Sequence, residues 1–184
     1  GEANQAMQQG EAIGRSFAGV INLVGTALAT VSFAQATSDL LALNRELENA
    51  ERQLAISSQT LQVWGIGAEK VGLSSEKMRD IFKDVSDKLG DLATTGGGEA
   101  KDIIERLNLN INELINLSPD QALLKIAKAM NEVKNVSQYD KVFLMEALAD
   151  EGSALLPLLK DNAAALREIE EAANRRGVLI TPAE

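Results

Sequence analysis

Residues 74–92, SSEKMRDIFKDVSDKLGDL, carry the clearest helical pattern in the chain. Apolar side chains recur three or four positions apart, which places them on one face of an α-helix. Ser74 precedes this face and is a residue type that accepts hydrogen bonds from the free N–H groups at a helix start. The stretch therefore predicts an amphipathic helix that begins after Ser74 and packs through Met78, Ile81, Phe82, Val85, Leu89 and Leu92.

Glycines lie on both sides of this predicted helix. Gly65, Gly67 and Gly72 precede it, and we expect them to weaken helical structure there because glycine is a poor helix former. The triplet 96–98 follows it and is predicted to form a flexible turn. Although Lys101 comes soon afterwards, the spacing is not that of a phosphate-binding loop, so a phosphate site is not predicted.

Further helix starts and stops organise the chain beyond the triplet. Ser118-Pro119-Asp120-Gln121 predicts a helix with a capping box, and Ser137 with Asp140 predicts another that Gly152 ends. Between and after them, a short helix is expected around 103–107 and a last one over about 163–176, closed by Gly177. Since no segment alternates with the period of a strand, the predicted fold class is all-α. Apolar residues expected on these helices are Leu123, Leu124, Ile126, Ala127, Met130, Val133, Val142, Phe143, Leu144 and Leu148.

The region before the compact part contains an uncharged stretch from Ser16 to Ser38. Its apolar residues follow a 4-3 spacing, which predicts a long helix with one packing seam. A second seam, from Leu40 to Trp64, is out of register with the first, so either one long helix carries an irregularity near 37–38 or Ser38 caps a new helix and the two form a hairpin. The seam residues predicted to face a partner are Ile13, Phe17, Val20, Val24, Leu28 and Val31.

The predicted organisation is an apolar N-terminal helix over 1–37, a compact helical domain over 38–180 and a tail over 181–184. Two functions remain open for the first part. Its length is close to that of a membrane-spanning helix, but polar residues such as Asn22, Thr26 and Gln35 dilute its hydropathy. Packing against another helix is therefore the favoured interpretation, and membrane insertion is the alternative.

Composition restricts the chemistry of the chain. It has no cysteine and no histidine, which removes thiolate and imidazole ligands and the usual nucleophile–base pairs. The net charge is -9, with basic residues scattered singly, so nucleic-acid binding is not expected. Asp84, Asp87 and Asp91 share one helix face but are interleaved with lysines. Glu113 and Glu146 are the carboxylates that could serve as the acid of a glycan-cleaving enzyme, but no second carboxylate is paired with either. We predict no metal site, no cofactor and no enzymatic activity.

Three blocks of sequence follow one another along the compact part of the chain. They are 61–74 with 78–91 (LQVWGIGAEKVGLS and MRDIFKDVSDKLGD), 108–114 with 117–124 (NLNINEL and LSPDQALL), and 152–159 with 166–169 and 176–178 (GSALLPLL, LREI and RGV). Taken together and in this order, the three blocks resemble tape measure proteins of tailed phages and prophages.

The resemblance implies a helical structural protein of the virion that occupies the lumen of the tail tube and sets tail length during assembly. Its implied partners are tail tube subunits, tail assembly chaperones, baseplate or tail tip proteins and other copies of itself. It would be made in the host cytoplasm, and the membrane alternative adds the host membrane as a site of action during genome passage. Because such proteins run to many hundreds of residues, the resemblance implies that this chain is a piece of a longer one.

Overall fold

A computed structural model describes the backbone of residues 33–181 and the side chains of residues 41–181. This part of the chain is all-helical and contains no strand, which confirms the predicted fold class for the described residues. Its elements are α1 (Phe33–Leu54), α2 (Ser58–Lys70), α3 (Ser75–Thr95), α4 (Ala100–Arg106), α5 (Ile111–Leu114), α6 (Pro119–Glu132), α7 (Gln138–Leu148), a 3-10 helix (Gly152–Leu155) and α8 (Leu156–Arg176).

Helix α3 forms the centre of the core, as its pattern predicts. The Ser74 hydroxyl accepts the N–H of Lys77 at 3.0 Å, and Gly96 ends the helix in the left-handed conformation. The ring of Phe82 meets that of Trp64 edge to face, with centroids 5.2 Å apart. All six predicted core residues are buried: Met78, Ile81, Phe82, Val85, Leu89 and Leu92.

Helix α2 departs from the prediction made for its glycines. It runs without a break through Gly65 and Gly67 as far as Lys70, so the expected weakening there is wrong. The reason is close packing, since a Cβ on Gly67 would lie 3.1 Å from methyl groups of both Leu158 and Leu166 of α8. Glycine lets α2 and α8 approach closely, and this contact offsets the low helix propensity of the residue.

The course of α1 decides between the continuous helix and the hairpin that were both predicted near residues 37–38. The helix continues through Thr37 and Ser38, so no new helix begins at Ser38 and the hairpin at this point is wrong. The boundary predicted between residues 37 and 38 falls inside α1. The seam from Ile13 to Val31 lies outside the described residues.

The second predicted seam, from Leu40 to Trp64, is divided between two helices. Ala55 adopts a positive φ of 53°, and the Ser57 hydroxyl accepts the Thr60 N–H, which makes Ser57 the N-cap of α2 rather than a seam residue. The spacing of apolar residues continues across this turn because both helices pack their apolar faces against the same core, in which Leu47 and Leu61 are buried.

The helix starts predicted at Ser118 and Ser137 are capped differently. Ser137 and Asp140 form a capping box at the start of α7, with each side chain accepting the other residue's backbone N–H. Ser118 occupies the N-cap position of α6 without a side-chain hydrogen bond, so the box predicted there is absent. Pro119 follows it at the first helical position, where its fixed φ suits a helix start and its missing N–H leaves no hydrogen bond unmade.

Helix α8 is divided into two segments by a turn. Residues 160–163 are non-helical, and Asp161, Asn162 and Ala163 all have positive φ. The regular helix after this turn ends at Arg176, and Gly177 closes it with φ 61°. The predicted last helix over about 163–176 therefore corresponds to the second segment of α8.

Candidate functional site

Helix α7 has an inner and an outer apolar face. Leu144, Met145 and Leu148 are buried in the core, whereas Tyr139, Val142 and Phe143 point away from it, with Tyr139 89% and Phe143 66% exposed. We call these last three residues the α7 outer stripe. Residues 142–145 are consecutive and apolar, and a turn of 100° per residue cannot direct all four inward.

The α7 outer stripe holds a large share of the scarce aromatic side chains. The chain has one tryptophan, one tyrosine and four phenylalanines, and this short stripe exposes two of the six. The exposed areas of the three side chains in the stripe sum to roughly 400 Å², which is about the area of a contact with a single helix. A stable complex buries about 800 Å² per partner, so the stripe alone is too small to hold two copies together.

Two ion-pair networks fix α7 on the unit. At its start, Arg106 of α4 contacts Asp140 at 2.7 Å, and hydrogen bonds from Ser137, with the Arg106 contact, lower the pKa of the Asp140 carboxyl to about 2. At its end, the Lys88 ammonium of α3 donates to the Ala147 carbonyl at 2.7 Å and contacts Glu99 at 2.8 Å. A cation at the carbonyl end of a helix is favourable, so both ends of α7 are held electrostatically.

Glu146, a lone carboxylate considered for glycan chemistry, stabilises the turn after α7. It accepts the backbone N–H groups of Glu151 and Ser153, each at 3.1 Å, and the Ser153 hydroxyl. The Ser153 hydroxyl is the main cause of a lowered pKa at Glu146. A general acid in glycan cleavage needs a raised pKa, so this environment is the opposite of the one that the chemistry requires. Glu113 contacts Lys125 at 2.6 Å.

The three aspartates of α3 do not form a common site. Asp84 accepts the Asp150 N–H at 3.3 Å, Asp87 borders the groove between α1 and α3, and Asp91 lies against Gly98 in the turn. Over residues 41–181, no three acidic, histidine or cysteine side chains are grouped so that they would hold a metal ion. The glycine triplet serves the turn after α3, where Gly96 and Gly98 have positive φ.

The groove between α1 and α3 is wide and mostly polar. Glu46 and Arg79 face each other across it at 3.7 Å, and both are about one-third exposed. Its remaining wall carries amides and charges of both signs, which suits contact with water. The lining residues are Glu46, Asn49, Ala50, Gln53, Leu54, Glu76, Arg79, Asp80, Lys83, Ser86 and Asp87.

Sequence reasoning missed two features. Tyr139 was not singled out, although its spacing to Val142 and Phe143 is that of one helix face. Gln62 was also missed; it is 3% exposed and its amide binds the backbone near the end of the chain. No local pattern could have identified Gln62, because its partner is 118 residues away.

The predicted partner seam, Ile13, Phe17, Val20, Val24, Leu28 and Val31, lies outside the described residues, so the structure places none of it. Of the helices within residues 33–181, none combines the length and the hydropathy needed to cross a membrane. Comparison of the chain with models of known families, with curated proteins and with solved structures finds no match in any of the three. Function must therefore be inferred from the sequence blocks, the fold and the surfaces.

Proposed function

We propose that this chain is a structural segment of a phage or prophage tail tape measure protein, which sets tail length and takes part in assembly inside the tube lumen. The observation that supports this most is α1, a helix of 22 residues that passes through the register break. At 1.5 Å per residue it is about 33 Å long. A ruler needs extended length of this kind, which an uninterrupted helix supplies.

The three blocks that resemble tape measure proteins all fall within one packed unit. The first covers α2 and α3, the second α5 and the start of α6, and the third the 3-10 helix and much of α8. Each block contributes to a single core, through Trp64 and Phe82, Leu123, and Leu158 respectively. Such packing into one core is expected if the three blocks belong to a single domain.

The proposed partners are tail tube subunits, tail assembly chaperones, baseplate or tail tip proteins and further copies of the chain. The net charge of -9 supports a role in the lumen without DNA binding, because an acidic surface repels the genome that uses the same channel. We propose no cofactor, no metal and no catalytic activity for this segment.

Measuring tail length tests the proposal. Two copies of residues 33–53, which add 42 residues, are inserted in register directly after Gln53 in the parent polypeptide. If the chain is part of the ruler, tails seen by electron microscopy lengthen by roughly 63 Å, since each helical residue adds 1.5 Å.

A matched control separates added helix length from added mass. The same 42 residues are inserted at Gly97, in the turn after α3, where they do not extend α1. We expect tails of unchanged length from this variant. Unchanged length in both variants, with tails still assembled, would contradict a ruler role for this segment.

A second candidate function rests on the uncharged stretch from Ser16 to Ser38, namely insertion into the host membrane to help the genome cross it. Flotation of the chain with liposomes distinguishes this function from the first. Insertion requires flotation that Val24→Asp and Leu28→Asp abolish, because a charge in the bilayer centre is costly. The tape measure proposal alone requires no flotation.

A further inference from the structure

The last described residues form an extended segment that is bound to α2. We call Val178–Thr181 the C-terminal strap. The Ile180 N–H donates to the Gln62 side-chain carbonyl at 2.8 Å, and the Gln62 amide nitrogen donates to the Ile180 carbonyl at 2.7 Å. One side-chain amide thus pairs with both polar groups of one residue's backbone, as a neighbouring β-strand would.

Gln62 is poorly suited to being left without this partner. It is buried between Leu61 and Val63, and its amide nitrogen also donates to the Ser58 carbonyl at 3.1 Å. Loss of the strap would expose or orphan both the amide oxygen and one amide hydrogen, and a buried polar group without a partner is costly. The Gln62 amide therefore favours an occupant with a free backbone N–H and C=O.

The strap's side chains define the rest of the site. Leu179 and Ile180 are half-buried against the core, and Thr181 accepts a weak hydrogen bond from Gln59 at 3.4 Å. None of the four strap residues is charged. These contacts favour an occupant with an extended backbone and apolar side chains. They place few other requirements on the sequence of that occupant.

The strap's connection to the fold allows it to leave. It joins α8 through Gly177, which is exposed and has a φ of 61°, and a Cβ at this glycine would meet nothing within 4 Å. Rotation after Gly177 would break the 3.3 Å hydrogen bond from the Val178 N–H to the Ala173 carbonyl and release the strap, while the Gly177 N–H still caps α8. Residues 178–180 are only partly buried and Thr181 is exposed, and such residues open locally more readily than those of the core.

We propose that Gln62 and the adjoining face of α2 form a docking site for an extended apolar peptide of a partner protein, and that the C-terminal strap is its internal occupant. The partner supplies a central residue with a free N–H and C=O, flanked by β-branched or leucine side chains. Main-chain pairing gives the affinity, as in other cases where an extended peptide is bound through its backbone. This proposal goes beyond the tape measure function and does not depend on it.

The strap and the partner peptide compete for one site. A short tether gives the strap an effective concentration in the millimolar range, so the wild-type chain binds an added peptide weakly. A variant that weakens the strap should bind the same peptide more tightly. Ile180→Pro does this in the full chain, because proline has no N–H to donate to Gln62.

A fluorescent peptide with the sequence of residues 177–182 is titrated into the full chain and followed by anisotropy. We expect binding to Ile180→Pro about tenfold tighter than to wild type, since the strap loses the hydrogen bond from its residue 180 N–H to Gln62. A peptide N-methylated at the residue equivalent to Ile180 keeps its side chains and loses the N–H, and it should lose binding. Adding Gln62→Met to Ile180→Pro, a change of similar length, should also abolish binding.

Absence of peptide binding to Ile180→Pro, or binding that N-methylation does not affect, would overturn the proposal. Hydrogen exchange of the wild-type chain gives a second test that requires no variant to fold. The Ile180 amide should exchange faster than that of Val85 in α3, because the strap opens locally. Equal protection of the two amides would show that the strap opens only on global unfolding, and the site could then admit no partner.

Discussion

Helices α3 and α7 start alike but serve the unit differently. Each begins at a serine N-cap, and each carries frequent apolar residues. In α3 the large apolar side chains all enter the core, whereas α7 sends Leu144, Met145 and Leu148 inward and leaves the α7 outer stripe in solvent. The outer stripe is therefore an apolar surplus that the described core does not use.

The difference arises from the order of apolar residues along each helix. In α3 they are spaced three or four apart and define one face, so polar residues cover the opposite side. In α7, positions 142–145 are consecutive and wrap around the helix, and Tyr139 adds to the side that faces out. Content of apolar residues alone does not decide burial; their angular distribution does.

Replacing one phenylalanine in each helix should give the largest contrast. Phe82→Ala removes a ring that is 0% exposed and packed on Trp64, and we expect it to lower the free energy of unfolding by about 3–5 kcal/mol. Phe143→Ala, the matched control, should change it by less than about 0.5 kcal/mol. Urea unfolding followed by circular dichroism measures both. A comparable loss at Phe143 would mean that the outer stripe belongs to a core.

Removing the N-cap serine of each helix should have a smaller effect. Ser74→Ala loses one hydrogen bond at α3 and should cost about 1 kcal/mol, while Ser137→Ala loses part of a reciprocal box at α7 and should cost about 1–2 kcal/mol. The same unfolding assay compares the two, with Ser118→Ala as a control because that serine makes no cap hydrogen bond. An equal loss in the Ser118 variant would show that the assay does not report capping.

Acid should act on α7 through Asp140, and this is the smallest expected effect. Its pKa is lowered from 3.8 to about 2 by the hydrogen bonds of Ser137 and the nearby Arg106. A lowered folded-state pKa means that the stabilisation is present above the ordinary value and is lost as pH falls from about 3.8 through about 2. NMR titration of the Asp140 carboxyl should give this midpoint, and Ser137→Ala should raise it. A wild-type midpoint at the ordinary value would contradict the box.

Much of the fold followed from local pattern, and the reason is physical. The buried set of α3, the Ser74 and Ser137 caps and the glycine stops at Gly96 and Gly177 depend on residues within a turn of one another. Interactions of this kind can be predicted from a short stretch of sequence, because both partners lie within it. The all-α class followed because no strand period competed with them.

The features that the sequence could not predict depend on contacts between residues that are far apart in the chain. Gly67 looks like a helix breaker until Leu158 and Leu166 are seen against it, and Gln62 looks like an ordinary polar residue until Ile180 is placed beside it. The candidate partner seam from Ile13 to Val31 stays a prediction, as do the tape measure role and its partners. The outer stripe required the orientation of α7 relative to the core, which periodicity alone does not give.

Protease protection in purified tails tests the proposed location in the tube lumen most directly. Intact tails are treated with protease, and peptides from residues 43–180 are quantified by mass spectrometry before and after the tails are triggered to eject. The proposal predicts that these peptides are present, are protected in intact tails and are lost from the tube on ejection. Their absence from tails, or digestion as fast as an outer tail protein, would contradict it.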